Sequence, residues 1–123
     1  MLEVYSLDIT VTADSTIPLN NVTIEKGCTA KLSAPSTIEL NKCGVYMVAV
    51  DGIAEAPTTV TMYKNGVAQP QAQSSSTAIG FTTLVQVPTN NSDCCCSSPT
   101  TIQFYNDTAT TLTSFNVCVT KVC

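Results

Sequence analysis

The chain is a series of short β-rich runs separated by turn signals, and none of its stretches has the spacing of an amphipathic helix. Apolar and polar residues alternate over 3–12, 21–25 and 37–41. Because successive side chains of a strand point to opposite faces, this alternation predicts strands with one buried face. Residues 45–51, VYMVAVD, are apolar on both faces instead, which predicts a central strand that is covered on both sides.

The dipeptide Asn65-Gly66 is the strongest turn signal in the chain, because both residues tolerate positive φ in a type I′ hairpin turn. The polar run SSSTAIG, which follows the second strand of this hairpin, predicts a loop. Residues 89–99, which contain three adjacent cysteines, also predict a loop. Further strands are predicted at 58–64, 81–87, 101–106 and 113–122.

These runs amount to roughly eight or nine strands in a single domain, residues 1–123, with no internal repeat or linker. Their spacing predicts an all-β fold, an antiparallel β-sandwich of the jelly-roll type. Strand edges in such a fold pair readily with other chains, and this sequence protects few of them with charge. We therefore expect subunits that bury an edge or a face in an oligomer.

Charged residues make up only 11% of the chain while hydrophobic residues make up 44%, a mix that favours an assembly subunit over a metabolic enzyme. The net charge of −4, the lack of arginine and five scattered lysines argue against nucleic acid as a partner. The first residues, MLEVYSLDITVT, alternate and carry acids, so we expect no signal peptide. No apolar run reaches the length needed for membrane insertion.

The chain has no histidine, and its nine acidic residues are dispersed along the sequence. General acid–base catalysis usually uses histidine or a pair of carboxylates, and a nucleophilic serine or cysteine would lack an imidazole partner. We therefore predict that the protein is not an enzyme, with no catalytic residue, no cofactor and no cofactor-binding residue. Asp51 and Asp107, at predicted strand ends, are interpreted as solvated turn residues.

Seven cysteines are many for a chain of this length, and the odd number leaves at least one free or paired between chains. In one interpretation they form disulfides. A bond between Cys28 and Cys43 would then stabilise the fold by roughly 3 kcal/mol, because it lowers the entropy of the unfolded chain. In another they are reduced, partly buried thiols that pack as small hydrophobes. The candidate disulfide or packing cysteines are Cys28, Cys43, Cys94, Cys95, Cys96, Cys118 and Cys123.

Metal binding is the minority interpretation of these cysteines, and no metal site is predicted. The adjacent residues Cys94, Cys95 and Cys96 lack the short spacers of structural zinc sites, and no histidine completes a ligand set. A threefold axis could still gather three copies of one cysteine. Redox catalysis is least favoured, since no Cys-x-x-Cys occurs and no cation lowers a thiol pKa.

Several segments, taken in order, resemble the trimeric jelly rolls of the tumour necrosis factor and complement globular-head superfamily. The segment IELNKCGVYMVAV, in which Gly-x-Tyr opens a central strand, is similar to the start of their core, and VTMYKNGVAQPQ is similar to their Asn-Gly hairpin. The segment FTTLVQVP resembles the strand before the loop near the trimer axis, and TIQFYNDT and SFNVCVTKV resemble the final strand pair. The resemblance covers about residues 36–122.

Within that superfamily the chain looks most like small cysteine-rich surface proteins of phages and prophages, and like the C-terminal domains of collagen-like spore-surface proteins. This resemblance implies a homotrimer on the virion surface, made in the host cytoplasm and released by lysis. It would be a capsid decoration or head-fibre protein, with residues 1–25 or one trimer end docked on the major capsid protein or another virion protein. One alternative is a phage-fibre knob that binds a receptor or host surface glycan, and another is a spore-coat or extracellular interaction module.

Overall fold

The computed structural model describes residues 1–27, 30–34, 36–87 and 95–122. Within those ranges the chain forms nine strands and no helix, and all of the strand pairs are antiparallel. The all-β prediction with eight or nine strands is confirmed. The strands are β1 (Leu2–Val11), β2 (Ser15–Thr16), β3 (Asn21–Glu25), β4 (Ala30–Ala34), β5 (Thr37–Lys42), β6 (Gly44–Lys64), β7 (Val67–Val87), β8 (Cys95–Asn106) and β9 (Thr110–Lys121).

Strands β6 and β7 are each 21 residues long, and the other strands are arranged around the hairpin that they form. The first half of β6, as far as Ala54, pairs with β9, and its second half, from Val60, pairs with β8. The first layer therefore has the order β3-β1-β9-β6-β7, and the second has the order β4-β5-β8-β6-β7 with β2 added to β8. One continuous hairpin belongs to both layers.

The neighbour of β6 changes where its pairing with β7 is interrupted, between Ile53 and Thr58. Pro57 lies in this interval and has no N–H to give to a ladder, which is compatible with a break in pairing. The N–H of Ala56 donates instead to Oγ1 of Thr110, at 3.1 Å, at the start of β9. This break allows a single strand to pass from one layer to the other.

Apolar side chains from the inner faces of both layers form one core. The ring centroid of Phe104, on β8, lies 5.6 Å from that of Phe115, on β9, and 6.4 Å from that of Phe81, on β7. Since β8 belongs to the second layer and β9 to the first, these contacts show that the layers pack face to face. Tyr46 is fully buried, and its hydroxyl donates to the carbonyl oxygen of Lys42 at 2.6 Å, which satisfies its polar end.

The turn between β6 and β7 is formed by Asn65 and Gly66, as predicted, and their φ angles are 52° and 81°. The turn also contacts β8, because the N–H of Asn65 donates to the carbonyl oxygen of Thr101 at 2.9 Å. The N–H of Thr101 in turn donates to Oδ1 of Asn65, at 2.9 Å. The side chain of Asn65 therefore fixes the hairpin to the neighbouring strand as well as permitting the turn.

The run SSSTAIG is not a loop, as its composition predicts, but part of β7. Its hydroxyls lie along β6, where Oγ1 of Thr59 and Oγ of Ser75 are hydrogen-bonded at 2.6 Å. Ile79, near its end, is buried in the core. Strand pairing outweighs the local turn preference of serine here, because β6 offers a partner on one side of the run.

Two further expectations are wrong in part. Strand β8 begins at Cys95, so residues 95–99 extend a strand rather than a loop, and Cys95 pairs with Lys42 of β5. In the central strand, Tyr46 and its inward neighbours are buried but Met47 is exposed. A single subunit therefore covers this strand on one face only.

Gly52 allows β6 to approach β9 closely, and we predict that alanine is not tolerated there. A Cβ atom at this position would lie 2.7 Å from the carbonyl oxygen of Ser114 and 3.2 Å from Cδ1 of Phe115. Because both atoms belong to a packed strand, the backbone has to move. Urea denaturation should show that Gly52→Ala lowers the free energy of unfolding by about 1–3 kcal/mol.

The matched control is Gly80→Ala. Gly80 pairs with β6 from the opposite side, where a Cβ atom would come no closer than 3.8 Å to the carbonyl oxygen of Val50. We expect this variant to keep or slightly raise the stability, because alanine restricts the unfolded chain more than glycine does. Equal stabilities of the two variants would contradict the account of the β6–β9 contact.

Candidate functional site

The outer face of the first layer carries a group of large apolar side chains. Leu7, Met47, Ile53 and Leu84 point away from the core and are exposed by 57%, 38%, 56% and 63%. Met47 and Leu84 are direct cross-strand neighbours. Single exposed apolar residues are ordinary, whereas several on one face are typical of a surface that contacts another molecule. We call the outward side chains of β1, β9, the first half of β6 and the second half of β7 the apolar face.

The other side chains of the apolar face are mostly small or neutral. Ala49 of β6 pairs with Cys118 of β9, and Cys118 pairs with Glu3 of β1. The charges on the described part of this face are the acids Glu3 and Asp51, with Asp8 at its margin in β1. Removing this face from water therefore costs less than removing an ordinary charged surface.

Strand β7 has a long edge to which it contributes no charge of its own. It pairs only with β6 among the described strands, so the backbone N–H and C=O groups of its other side have no strand partner there. None of its 21 residues is charged, although the ammonium of Lys64 in β6 donates to the carbonyl oxygen of Gln86 near the end of β7, at 2.7 Å. Natural proteins usually protect an exposed edge with charged residues, because an open edge pairs readily with another chain. An uncharged edge of this length, next to the apolar face, is typical of a strand that another chain covers.

The outer face of the second layer is hydrophilic, and we call it the polar face. Hydroxyl and amide side chains hydrogen-bond across its strands. Oγ1 of Thr59 and Oγ of Ser75 are 2.6 Å apart, and Oγ1 of Thr61 donates to Oε1 of Gln73 at 3.1 Å. Each of these groups keeps further capacity for water or a ligand. The polar face is therefore the better suited of the two to solvent.

A cleft of about 290 Å³ lies on the polar face where β6 and β8 adjoin β2, and we call it the polar cleft. The rings of Tyr63 and Tyr105 contact each other here, with centroids 4.1 Å apart and planes inclined by 35°. The volume is close to the lower end of the range of roughly 300–1,000 Å³ that is usual for small-molecule sites. The lining residues are Asp14, Thr59, Thr61, Tyr63, Tyr105, Asn106 and Asp107.

A smaller depression of about 200 Å³ adjoins the polar cleft and shares Thr59 and Asp107 with it. Its remaining lining consists of small polar side chains and one proline, which are Pro57, Thr58, Ser75, Ser76 and Thr108. Asp107 therefore lies between two adjoining concavities.

The carboxylate of Asp107 is held by two hydrogen bonds and a weaker third contact. Its Oδ1 accepts from the backbone N–H of Thr59 at 2.8 Å and from Oγ1 of Thr108 at 3.0 Å. Oγ1 of Thr58 lies 3.2 Å from the same oxygen, but its single proton is shared with Oδ1 of Asn106, which is the nearer acceptor. The Thr59 N–H, followed by the hydroxyls, lowers the pKa of Asp107 below its ordinary value of 3.8, since each bond favours the charged form. Desolvation, the second-largest influence after the Thr59 N–H, raises the pKa and is outweighed by the hydrogen bonds taken together.

Two buried polar residues support the turn that carries Asp107. Oγ1 of Thr58 donates to Oδ1 of Asn106, and Nδ2 of Asn106 donates to the carbonyl oxygen of Thr108. Thr58 and Asn106 are both buried. Because both ends of the amide are satisfied inside the protein, this network fixes the end of β8 relative to β6.

The cysteines fall in different parts of the structure. Cys43 is buried. The preceding residue, Lys42, pairs with Cys95 at the start of β8, so the backbone of Cys95 and Cys96 lies near Cys43. Cys118 lies on the apolar face and forms no disulfide with a described residue. The choice between disulfides and packed thiols stays a prediction. The cysteines outside the described residues are Cys28, Cys94 and Cys123.

Two features are absent from the described residues. No group of three or more cysteine or acidic side chains is placed to hold a metal ion among them. In the same part of the chain, no helix has the length and apolarity to span a membrane.

The sequence places Tyr63 and Tyr105 in strands but does not bring them together. Their contact depends on the register of β6 and β8, in which Thr61 pairs with Tyr105. Asp51 lies within β6 rather than at a strand end. Asp107 does follow a strand and is exposed, as predicted, but its hydrogen bonds make it a fixed acceptor rather than a freely solvated side chain.

Comparison with solved structures shows which known fold this chain adopts. No protein-family model and no curated protein matches the sequence. The globular domain of zebrafish complement 1qA protein superimposes with a TM-score of 0.67 at 8% identity, over 95% of this chain and 94% of that one. Murine APRIL gives 0.66 at 8% identity over 98% of both chains, and rabbit GITRL gives 0.61 at 8% over 100% of this chain and 95% of that one. The predicted jelly roll of the tumour necrosis factor and complement globular-head type is confirmed as the fold.

The hydrogen bonds to Asp107 predict a pH dependence. Because the folded-state pKa lies below 3.8, the carboxylate contributes stability above that pH, and the contribution is lost as the pH falls through the lowered pKa. Carboxyl ¹³C NMR should show Asp107 titrating below 3.8. Thr108→Val, which removes one hydrogen-bond donor to the carboxylate, should raise the pKa of Asp107.

Thr61→Val is the control for this titration, since the Thr61 hydroxyl donates to Gln73 instead of Asp107. It should leave the Asp107 titration unchanged. A titration of Asp107 at or above its ordinary pKa would show that these hydrogen bonds do not form in solution.

Proposed function

We propose that this chain, a jelly roll of the tumour necrosis factor and complement globular-head type, is a non-enzymatic structural protein that forms homotrimers on the surface of a phage particle. Its role there is that of a capsid decoration or head-fibre subunit. The observation that carries the proposal is the apolar face together with the uncharged edge of β7. Exposure of the apolar side chains to water is unfavourable, and the open strand edge can pair with another strand. Both features therefore favour contact with other copies of the chain.

The apolar face favours association energetically. Full removal of a Leu, Ile or Met side chain from water contributes about 1.5–3 kcal/mol. Leu7, Ile53 and Leu84 are each more than half exposed in one subunit, and Met47 adds to them. Burying this group gains on the order of several kcal/mol per subunit, which offsets part of the entropy lost on association.

The number of copies is supported by the sequence resemblance to trimeric jelly rolls. In a cyclic trimer, each subunit uses two different surfaces, one toward each neighbour. The apolar face and the β7 edge adjoin in one subunit, so one can contact the next copy while the other contacts the previous copy. This arrangement leaves the polar face pointing outward.

The particle context is supported by the likeness of the sequence to small phage surface proteins and by the low fraction of charged residues. Docking on the major capsid protein or another virion protein would use residues 1–25. Strand β3 closes the first layer at the side opposite β7, and its residues Asn21, Val22 and Thr23 are exposed. A second open edge is thus available for a partner other than the chain itself.

The homotrimer is tested by sedimentation equilibrium of the native protein and of Leu84→Glu. The native chain should sediment as a trimer at micromolar concentration. Leu84 is 63% exposed in the subunit, so a carboxylate there leaves folding intact but is buried without a partner in the trimer. We expect association to weaken by at least about tenfold, which corresponds to roughly 1.4 kcal/mol.

Gln73→Glu provides the matched control, since it places the same new side chain on the same strand but on the polar face. This variant should remain trimeric. A native protein that sediments as a monomer, or a trimer that persists in Leu84→Glu, would refute the assignment of the apolar face.

The particle role is tested by mass spectrometry of purified virions from the phage or induced prophage that encodes the chain. The protein should be present in many copies per particle, at a fixed ratio to the major capsid protein. Its presence in the lysate together with its absence from purified particles would refute the role on the virion.

A further inference from the structure

We propose that the polar cleft binds a neutral glycan, with a sugar ring lying on Tyr63 and Tyr105 and its hydroxyls bound by Asp14, Asp107, Thr59 and Thr61. The proposal goes beyond the surface role described above, because it concerns a ligand of the single subunit. It holds whether or not the protein is part of a phage particle.

The tyrosine pair supplies the apolar part of this site. Tyr63 and Tyr105 are half-buried on a face that otherwise carries hydroxyl, amide and, on β4 and β5, charged groups, and their centroids lie 4.1 Å apart. The two rings are stacked on each other and both line the cleft, so a ligand can pack against the ring faces and edges that are turned away from the pair. A pyranose ring has one face of C–H groups, which packs on such a surface while its hydroxyls remain free for polar partners.

The polar partners are fixed before a ligand arrives. The N–H of Thr59 and the hydroxyl of Thr108 hold Oδ1 of Asp107, so the carboxylate has a set orientation, and Oδ2 keeps acceptor capacity. The hydroxyl of Thr61 is likewise oriented by its bond to Gln73. Since these groups do not have to be ordered on binding, the entropic cost of recognising sugar hydroxyls is low.

The charges of the cleft select the class of glycan. Asp14 and Asp107 line it, and none of the residues that line either concavity is a lysine. Two carboxylates repel a sialic acid or a sugar phosphate, but accept hydrogen bonds from the hydroxyls of a neutral sugar. The chemistry therefore points to neutral hexoses rather than acidic glycans.

The two adjoining concavities indicate a ligand longer than one sugar. Asp107 and Thr59 belong to both, so a chain of sugars can pass over them from the polar cleft into the depression beside Ser75. The tyrosines would hold one ring, and the hydroxyls around Ser75 would contact the next. Neutral oligosaccharides should accordingly bind more tightly than their monosaccharides.

The experiment is an array of neutral and sialylated glycans probed with the full native chain, followed by NMR titration with the best neutral oligosaccharide. We expect neutral glycans to be retained and their sialylated forms to be lost. Tyr105→Ala should weaken binding by at least about tenfold. Tyr105→Phe, which keeps the ring, should stay within about threefold of the native affinity.

Gln71→Ala is the control, because Gln71 is an exposed residue of β7 outside the cleft, where its amide donates to Oε1 of Gln69 at 3.2 Å. It should bind as the native chain does, and circular dichroism should show all variants folded. Failure of the native chain to bind any neutral glycan, a preference for sialylated glycans, or full binding by Tyr105→Ala would each overturn the proposal. None of these results would alter the sedimentation or virion measurements, so the two proposals fail separately.

Discussion

The pairing of β6 with β7 determines most of what this molecule presents to its surroundings. Strand β6 has β9 as its other neighbour before the break near Pro57 and β8 after it, so one hairpin holds both layers. The odd-numbered residues of β6 point outward in both halves. They include Met47 and Ile53 before the break, and Thr59 and Tyr63 after it. One strand thus supplies the centre of the apolar face and the centre of the polar face.

The proposed trimer rests on this division. The apolar face carries few charges and β7 contributes none to its own edge, so both lose less on desolvation than the polar face with its hydroxyl and amide groups. In the proposed trimer the apolar face would therefore turn toward other copies. Tyr63 and Tyr105 are the aromatic exception on the polar face, and their contact with each other, beside the carboxylate of Asp107, is the feature on which the proposed glycan site rests.

The parts of this structure that depend on local spacing could be predicted from the sequence, and the parts that depend on register could not. Alternation indicated most of the strands, and the hairpin at Asn65 followed from its tolerance of positive φ. The run SSSTAIG became strand because β6 lies beside it, which its own residues do not reveal. Met47 is as apolar as its buried neighbours, so the sequence indicates that it is covered but not whether the same chain or another copy covers it. The contact between Tyr63 and Tyr105 likewise requires the register of two strands that are far apart along the chain.

The central claim is that the apolar face is buried by other copies while the polar face stays open. Hydroxyl-radical footprinting of the native assembly tests both halves of this claim at once, with each side chain referred to its oxidation rate in the urea-unfolded chain. The account predicts strong protection of Met47 and Leu84, which are exposed in one subunit, and ready oxidation of Tyr63 and Tyr105. Oxidation of Met47 and Leu84 at close to their unfolded rates, or stronger protection of the half-buried tyrosines than of Met47 and Leu84 in the absence of a ligand, would contradict it.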